Sequence, residues 1–244
     1  MILCCFLASW SQVAPEKMKQ IPGTKETKPY HHGDLRNALV ESAVDILREE
    51  GFHGLTLRKT AARAGVSHSA PYRHFASKEA LIAEISRIGF AELTERGKKY
   101  IARHRHAADR LKAYGFAYVE YAAENPTHFR IMFGQTELNP EEYPELKETG
   151  ERSFNLLVEL VVECQKADVF QGGNPYRLAA ANWSYVHGMA HLLVDQKLDW
   201  MASLQGTEKR GHSPSKQARI LWDSMQDILI HGMGPESEAP KSGG

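Results

Sequence analysis

Apolar and small residues recur every three or four positions along nearly the whole chain from residue 34 onward. The first such segment contains Leu35, Ala38, Leu39, Ser42, Ala43, Ile46 and Leu47. This spacing is typical of one face of an amphipathic α-helix. Asp34 is a suitable N-cap for that helix, and Gly51 is suited to end it. Because the alternation typical of strands is absent, the pattern predicts an all-α fold.

Short helices with clear capping residues follow the first one. Thr56 is placed to begin a second helix, and Gly65 is placed to stop it. Ser67 is a cap for a short third helix that ends near Phe75, and Ser77 is a cap for a fourth. Longer helical patterns then cover about 109–124, 126–134, 151–168, 175–199 and 215–231.

The sequence AGVS joins the second and third helices, and such a pair predicts a helix-turn-helix. Gly65 supplies the backbone freedom that the turn needs. Pro71 lies four residues after Ser67, near the first turn of the third helix, where backbone N–H groups have no intrahelical partner. It therefore predicts a recognition helix of only about two turns, whose front end faces a partner.

Acidic and basic residues are equal in number over the whole chain, but the helix-turn-helix contains basic residues without acidic ones. Thirty basic and thirty acidic residues give no net charge, so total charge favours no partner. From Gly51 to Lys78, however, there are five basic residues, three histidines and no acid. A basic helix-turn-helix suits the phosphate backbone of DNA, and we interpret this segment as DNA-binding.

The stretch LTLRKTAARAGVSHSAPYRHFASKEALI resembles the DNA-binding domain of the TetR/AcrR family of transcriptional regulators in order, spacing and residue type. The resemblance covers about residues 34–94. It implies a homodimer on a palindromic operator, with an N-terminal reading head and a larger helical domain that binds a small effector and supplies the dimer contact. The domains predicted on this basis are a disordered arm (1–33), the DNA-binding domain (34–94), a ligand-binding and dimerisation domain (95–233) and a disordered tail (234–244).

The resemblance also implies which side chains reach DNA. They are Thr56 and Arg58 at the start of the second helix, Ser67, His68 and Ser69 at the front of the recognition helix, and Tyr72, Arg73, His74 and Lys78 beyond it. The base-reading positions are short or neutral here, without Arg or Asn. We therefore expect few bidentate base contacts and more reliance on water and DNA shape.

A second, weaker resemblance lies in NWSYVHGMAHLLVD. Trp183, His187 and Gly188 match the Trp-His-Gly signature of one type of C-terminal domain in the same family. The implied ligand-binding residues are Phe116, Tyr121, Phe133, Trp183 and His187. A mostly apolar pocket would select a hydrophobic or aromatic effector.

The histidines of HGMAH have the i, i+4 spacing of a zinc-protease helix. That motif requires Glu directly after the first histidine, and Gly188 occupies the position. We therefore expect no metal, no cofactor and no enzymatic activity, and we interpret His187 and His191 as packed or pocket-lining. A His-dependent enzyme remains an alternative, as does a DNA-binding activator or architectural factor without a ligand.

Apolar positions extend nearly all round the helical pattern PYRLAAANWSYVHGMAHLLVDQKL, which is typical of a helix buried on more than one side. The final helical pattern carries a stripe of Ala218, Leu221, Trp222, Met225, Ile228 and Leu229. Two such helices per subunit predict a four-helix dimer interface, with ordinary monomer core as the alternative.

The N-terminal run from Ile2 to Ala8 lacks a basic region before it and is short for a signal peptide. We read residues 1–17 as a dispensable extension, with Met18 as an alternative start. Three cysteines without framework spacing favour a reducing setting, and no run approaches the roughly 20 apolar residues of a membrane span. These features predict a cytoplasmic protein, and we expect the loop 201–215 to be mobile.

Overall fold

The computed structural model describes residues 32–134 and 138–197, together with 213–216, 218–220, 222, 223 and 226. The predictions for the N-terminal arm and for residues 1–17 lie outside this part, apart from the last two residues of the arm. So do the predictions for most of the 201–215 loop, for the tail and for part of the final helix. The described residues form helices and no strand, as predicted. Among them, no helix is both long and apolar enough to cross a membrane.

Seven α-helices have defined bounds within the described part of the chain. They are α1 His32–Gly54, α2 Leu57–Arg63, α3 Lys78–Ile101, α4 Ala107–Glu124, α5 Pro126–Phe133, α6 Pro144–Lys166 and α7 Pro175–Val194. Short 3-10 helices lie at Pro71–Arg73 and Pro140–Glu142. Residues described after 213 are also helical at 214–216, 218–220, 222, 223 and 226.

The chain divides into two compact units. The first contains residues up to 88 and 130–147, and the second contains 89–129 and residues from 148 onward. The domain boundaries 34–94 and 95–233 remain predictions.

The predicted stripe of α1 forms the core of the first unit. Leu39, Ala43 and Ile46 are fully buried, because residues three and four apart lie on the same helix face. Gly51 has φ 69° and breaks the helix before its last few residues, which confirms that it ends the regular part. The helix begins at His32, so the prediction that Asp34 caps it is wrong.

Capping residues set the start of the next helices as predicted. The Thr56 hydroxyl accepts a hydrogen bond from the Lys59 amide at 3.1 Å, and α2 begins immediately after it. Gly65, with φ 70°, follows its end. Ser77 Oγ accepts from the Ala80 amide at 3.1 Å and begins α3.

Several other predicted boundaries differ from the structure. Helix α6 starts at Pro144, seven residues before the predicted 151, because proline is tolerated in the first turn. Helix α7 ends at Val194 and not at 199, since Asp195 caps it and Gln196 has φ 55°.

The second unit has its core between α4, α6 and α7. Its buried members are Ile101, Leu111, Tyr114, Leu157, Val158, Leu160, Val161, Cys164, Phe170 and Ala179. The C-terminal helical residues pack on α4 as well: Trp222 is 2% exposed, and the Arg219 guanidinium lies 3.7 Å from the centroid of the Phe116 ring.

Candidate functional site

The predicted recognition helix is a tighter structure than expected. Residues 67–75, which we call the recognition segment, contain turns and the 3-10 helix Pro71–Arg73, and no α-helix. The amides of Ala70, Arg73 and His74 donate to carbonyls three residues earlier, at 3.0, 3.2 and 2.9 Å. Pro71 explains the difference, since it has no N–H to donate to the Ser67 carbonyl as an α-helix requires.

Ser67 does not cap the segment through its side chain as predicted. Its hydroxyl instead lies 3.3 Å from that of Ser69, and its carbonyl accepts from the Ala70 amide. A hydroxyl engaged by a neighbouring side chain does not satisfy a free backbone N–H. The turn therefore begins with backbone hydrogen bonding alone.

Two buried side chains anchor the recognition segment. Pro71 is buried and Phe75 is 3% exposed, with the Arg36 guanidinium 5.2 Å from the centroid of the Phe75 ring. Between and before these anchors the side chains point into solvent. Ser67, His68, Ser69, Tyr72 and Arg73 are all exposed, and His74 is half-buried.

Tyr72 is 61% exposed, the highest value among the large hydrophobic side chains that the structure describes. Aromatic rings normally bury most of their area. Its neighbour Arg73 is exposed too, and the described part of the chain gives it no ion pair. A ring and a guanidinium are therefore available together on one anchored turn.

The start of α2 adds two further predicted residues. Thr56 and Arg58 are both exposed, although the Thr56 hydroxyl already accepts the capping hydrogen bond. Arg58, like Arg73, has no ion pair within the described ranges. Arg58 and Arg73 are thus cations whose charge no described acid neutralises.

Lys78 has a partner that sequence reasoning missed. Its Nζ donates to the Phe52 carbonyl at 2.5 Å. Gly51 breaks α1 just before this carbonyl, and carbonyls at a helix end lack intrahelical donors and attract cations. The ammonium therefore secures the end of α1, and its predicted contact with DNA phosphate remains a prediction.

The acid-free window of the sequence does not give an acid-free surface. Glu49, near the end of α1, accepts from both terminal nitrogens of Arg63, one of them at 2.8 Å. Glu50 forms an ion pair with the Lys59 ammonium. Two of the five basic residues are therefore neutralised by acids that lie just before the window.

A buried carboxylate holds the first unit together behind this surface. Glu84 on α3 is 6% exposed and accepts hydrogen bonds from Arg87 at 2.8 Å and from Arg36. Burial by itself would raise the pKa of Glu84, but the hydrogen bonds from Arg87 and Arg36 outweigh it and lower the pKa to about 2. The carboxylate stays ionised and ties α1 to α3.

The second unit gathers the Trp-His-Gly residues into an aromatic cluster, defined here as Tyr118, Phe129, Trp183, His187 and His191. The His187 ring centroid lies 4.9 Å from that of Trp183, 5.6 Å from Phe129 and 4.5 Å from His191. The i, i+4 spacing places the three α7 members on one helix face.

A hydrogen-bonded chain runs through this cluster. The Tyr118 hydroxyl lies 2.7 Å from His187 Nδ1 and accepts from Trp183 Nε1 at 3.4 Å. Burial raises the pKa of Tyr118 well above its ordinary value, so the hydroxyl keeps its proton. Burial, and then the neighbouring His191, lower the pKa of His187 to about 4. Tyr118 and His187 are therefore both uncharged at physiological pH.

The other predicted ligand residues have different surroundings. Phe116 lies beneath Arg219 and has its ring centroid 5.8 Å from that of Tyr100. Tyr121 is 2% exposed and donates to Glu92 at 3.3 Å. Phe133 is half-buried and belongs to the first unit.

Asn182 is a polar residue that the sequence analysis did not identify. It is 3% exposed, and its Nδ2 has no hydrogen-bond partner among the residues described. A buried amide donor without a partner costs about 1–3 kcal/mol. No pattern in the sequence distinguishes this asparagine from an exposed one.

The described residues contain no group of three or more His, Cys, Asp or Glu side chains able to hold a metal ion. Cys164 is buried in the core, and burial raises the pKa of its thiol to about 11. A thiol that stays protonated is a poor nucleophile.

Two family profiles match the chain. That of bacterial regulatory proteins of the tetR family matches residues 39–85, and that of the tetracyclin repressor-like C-terminal domain matches residues 111–210. The class A tetracycline repressor from transposon 1721 of Escherichia coli is 43% identical over 56 residues, which are 23% of this chain and 26% of the repressor. The chain thus matches about a quarter of the length of this curated relative.

Solved structures extend the similarity over most of the chain. A protein of unknown function from Rhodococcus sp. RHA1 is 30% identical, with a TM-score of 0.66 over 86% of this chain and 100% of that one. The regulator FadR from Bacillus subtilis, solved in complex with stearoyl-CoA, gives a TM-score of 0.61 at 19% identity over 80% of this chain and 98% of FadR. The likeness to FadR shows a common fold.

Proposed function

The chain belongs to the TetR family of bacterial transcriptional regulators, and we propose that it is a repressor that binds a palindromic DNA operator through the recognition segment and leaves it when a small effector binds. DNA binding implies a cytoplasmic location. Residues 34–94 form the proposed DNA-binding domain, and residues 95–233 the proposed effector and dimerisation domain.

The exposed recognition segment is the observation that supports DNA binding most strongly. The buried side chains of Pro71 and Phe75 anchor the segment, whereas Tyr72 and Arg73 extend from it into solvent. The anchored turn therefore holds the Tyr72 ring where a partner can contact it. A tyrosine offers its hydroxyl to phosphate and its ring to a thymine methyl, and Arg73 pairs with phosphate.

Selection of bound duplexes from a random pool, followed by fluorescence anisotropy on the selected sequence, tests this function. Arg73→Ala should weaken binding to all duplexes and reduce the salt slope by about 1. His68→Ala should instead change the order of preference among related duplexes. A chain that selects no sequence contradicts the proposal, as does equal loss on every sequence for both variants.

The exposed apolar residues of the second unit support a homodimer. Leu192 on α7 and Ile220 in the C-terminal helical residues are 46% and 50% exposed. Gly188, one turn before Leu192, is exposed and has open space where a side chain would begin, so another helix can approach its backbone. We expect Leu192→Asp to shift the chain towards monomer in analytical ultracentrifugation, whereas Gln196→Asp, exposed beyond the end of α7, should leave the dimer intact.

Asn182 and the aromatic cluster support an effector that is apolar or aromatic and carries a hydrogen-bond acceptor. The uncharged side chains of Tyr118 and His187 favour an uncharged ring or chain, and the Asn182 amide would gain a partner from an acceptor. A panel of such compounds should contain one that weakens operator binding. Unchanged affinity across the panel would favour the alternative, a DNA-binding factor without a ligand.

A further inference from the structure

The ion pairs between α1 and α2 lie on the same exposed side of the reading head as Arg58. Arg58, Lys59 and Arg63 are all exposed, whereas Leu57, Thr60 and Ala61 form the buried face of α2. A residue advances about 100° around a helix, so Lys59 and Arg63 lie about 100° and 140° around α2 from Arg58, towards the other edge of the exposed face. All three cations lie within two turns of one another, so unpaired charge on Lys59 and Arg63 would add to the field that a duplex meets.

Each of these two cations nevertheless forms an ion pair with a carboxylate of α1. Arg63 is held by both oxygens of Glu49, and Lys59 is held by Glu50. The hydrogen bond from Arg63 is the main cause that lowers the pKa of Glu49, so this carboxylate stays charged. If DNA drew either cation away, an unpaired carboxylate would be left near the phosphates. In either arrangement the four groups contribute almost no net charge.

We propose that Glu49 and Glu50 restrain the electrostatic part of DNA binding by neutralising Arg63 and Lys59. Non-specific binding is almost entirely electrostatic, and each neutralised phosphate adds about 0.9 to the slope of log K against log salt concentration. Cancelling two cations lowers affinity for every sequence by a similar factor, so less of the chain is held on DNA other than the operator, and the ratio between operator and random affinity is unchanged. This inference rests on the proposed DNA-binding function.

Fluorescence anisotropy with a random duplex and with the selected operator, each across 50–200 mM salt, tests the inference. Glu49→Gln combined with Glu50→Gln should steepen the slope on both duplexes by about 1.8. Affinity should then fall about tenfold further than for the wild type over that salt range. At the lowest salt both duplexes should gain affinity by a similar factor, so the ratio between them should stay close to that of the wild type.

Two further variants separate release of a cation from loss of negative charge. Glu41→Gln removes the same charge from an exposed position on the same helix, and the described part of the chain shows no ion pair for Glu41. It should change the slope much less than Glu49→Gln. Adding Arg63→Gln to Glu49→Gln should restore the wild-type slope, because the released guanidinium is then absent.

The outcomes decide between the two proposals. Equal slopes for Glu41→Gln and Glu49→Gln, or an unchanged slope in the double glutamine variant, would overturn the restraint and leave DNA binding intact. Failure of the wild-type chain to bind either duplex would overturn the proposed function itself. Thermal melting of each variant checks that the fold is retained, as expected since exposed ion pairs add little stability.

Discussion

The two units of this chain place their proposed functional side chains in opposite environments. In the first unit the recognition segment exposes Tyr72 and Arg73, and Arg73, like Arg58, has no ion pair among the described residues. In the second unit Tyr118 is 6% exposed and Phe129 is fully buried, and the pKa shifts of Tyr118 and His187 keep both side chains uncharged. The first unit is therefore suited to a charged partner, and the second to an uncharged one.

The aromatic residues of the recognition segment give the largest expected contrast. Phe75→Ala removes a buried ring and should destabilise the first unit by about 3–5 kcal/mol. Tyr72→Ala, three residues earlier and exposed, should change stability by less than about 0.5 kcal/mol while weakening DNA binding. Urea unfolding and anisotropy on the selected operator measure the two effects, and similar losses of stability in both variants would contradict the described anchoring.

Acid should weaken the two units in different pH windows. The native pKa of His187, about 4, lies below its ordinary 6.5, so the unfolded chain binds the proton first and stability falls from pH 6.5 to 4. The native pKa of Glu84, about 2, lies below its ordinary 4.5, so its contribution disappears between pH 4.5 and 2. Linkage gives up to about 3 kcal/mol for each group.

Urea unfolding at a series of pH values measures these windows. Tryptophan fluorescence in a Trp10→Phe background follows the second unit, since the other three tryptophans all come after residue 148. Hydrogen exchange of α1 follows the first unit. His187→Asn should remove the loss between pH 6.5 and 4 and leave the lower window unchanged; persistence of the upper window in this variant would show that another group causes it.

Removing one hydroxyl from the aromatic cluster should have an intermediate effect. Tyr118→Phe leaves the Trp183 N–H and His187 Nδ1 without the partner they share, which should cost about 1–3 kcal/mol. Tyr176→Phe removes a hydroxyl from the same helix bundle at a site that is 45% exposed, and we expect its melting temperature to match that of the wild type. Equal melting temperatures for both variants would contradict a structural role for the Tyr118 hydroxyl.

Asn182 should show the smallest change, of opposite sign. Asn182→Leu replaces a buried amide that lacks a partner with an apolar group of similar size. The variant should be more stable than the wild type by about 1 kcal/mol without effector. It should also lose part of the stabilisation that the effector gives the wild type, as measured by thermal melting with and without the compound. A loss of stability in the free protein would show that the amide already has a partner.

Local signals predicted four boundaries that a single residue decides, and failed at two others, the caps expected at Asp34 and Ser67. The caps at Thr56 and Ser77 and the glycines at 51 and 65 depend on a few neighbouring residues, so the sequence contains the whole cause. The start of α6 and the end of α7 depend on weaker signals, and both predictions were wrong. The sequence predicts an α-helix for the recognition segment because a proline near a helix start removes few hydrogen bonds. In the structure the missing hydrogen bond from Pro71 to the Ser67 carbonyl leaves a 3-10 helix in its place.

Contacts between distant residues could not be predicted from the spacing of residue types. The pairing of Glu49 with Arg63 and of Lys78 with the Phe52 carbonyl depends on how α1, α2 and α3 pack. The aromatic cluster is an intermediate case. The sequence indicated Trp183 and His187 together, since both lie on one helix face. It did not indicate that Tyr118, on α4, forms hydrogen bonds with both of them.

Amide hydrogen exchange of the whole chain, with and without the selected operator, tests most directly whether the recognition segment binds DNA. We expect the duplex to slow exchange in residues 67–75 and at the start of α2, with smaller changes in the rest of the first unit. Unchanged exchange in residues 67–75 while bound DNA protects another surface would contradict this assignment.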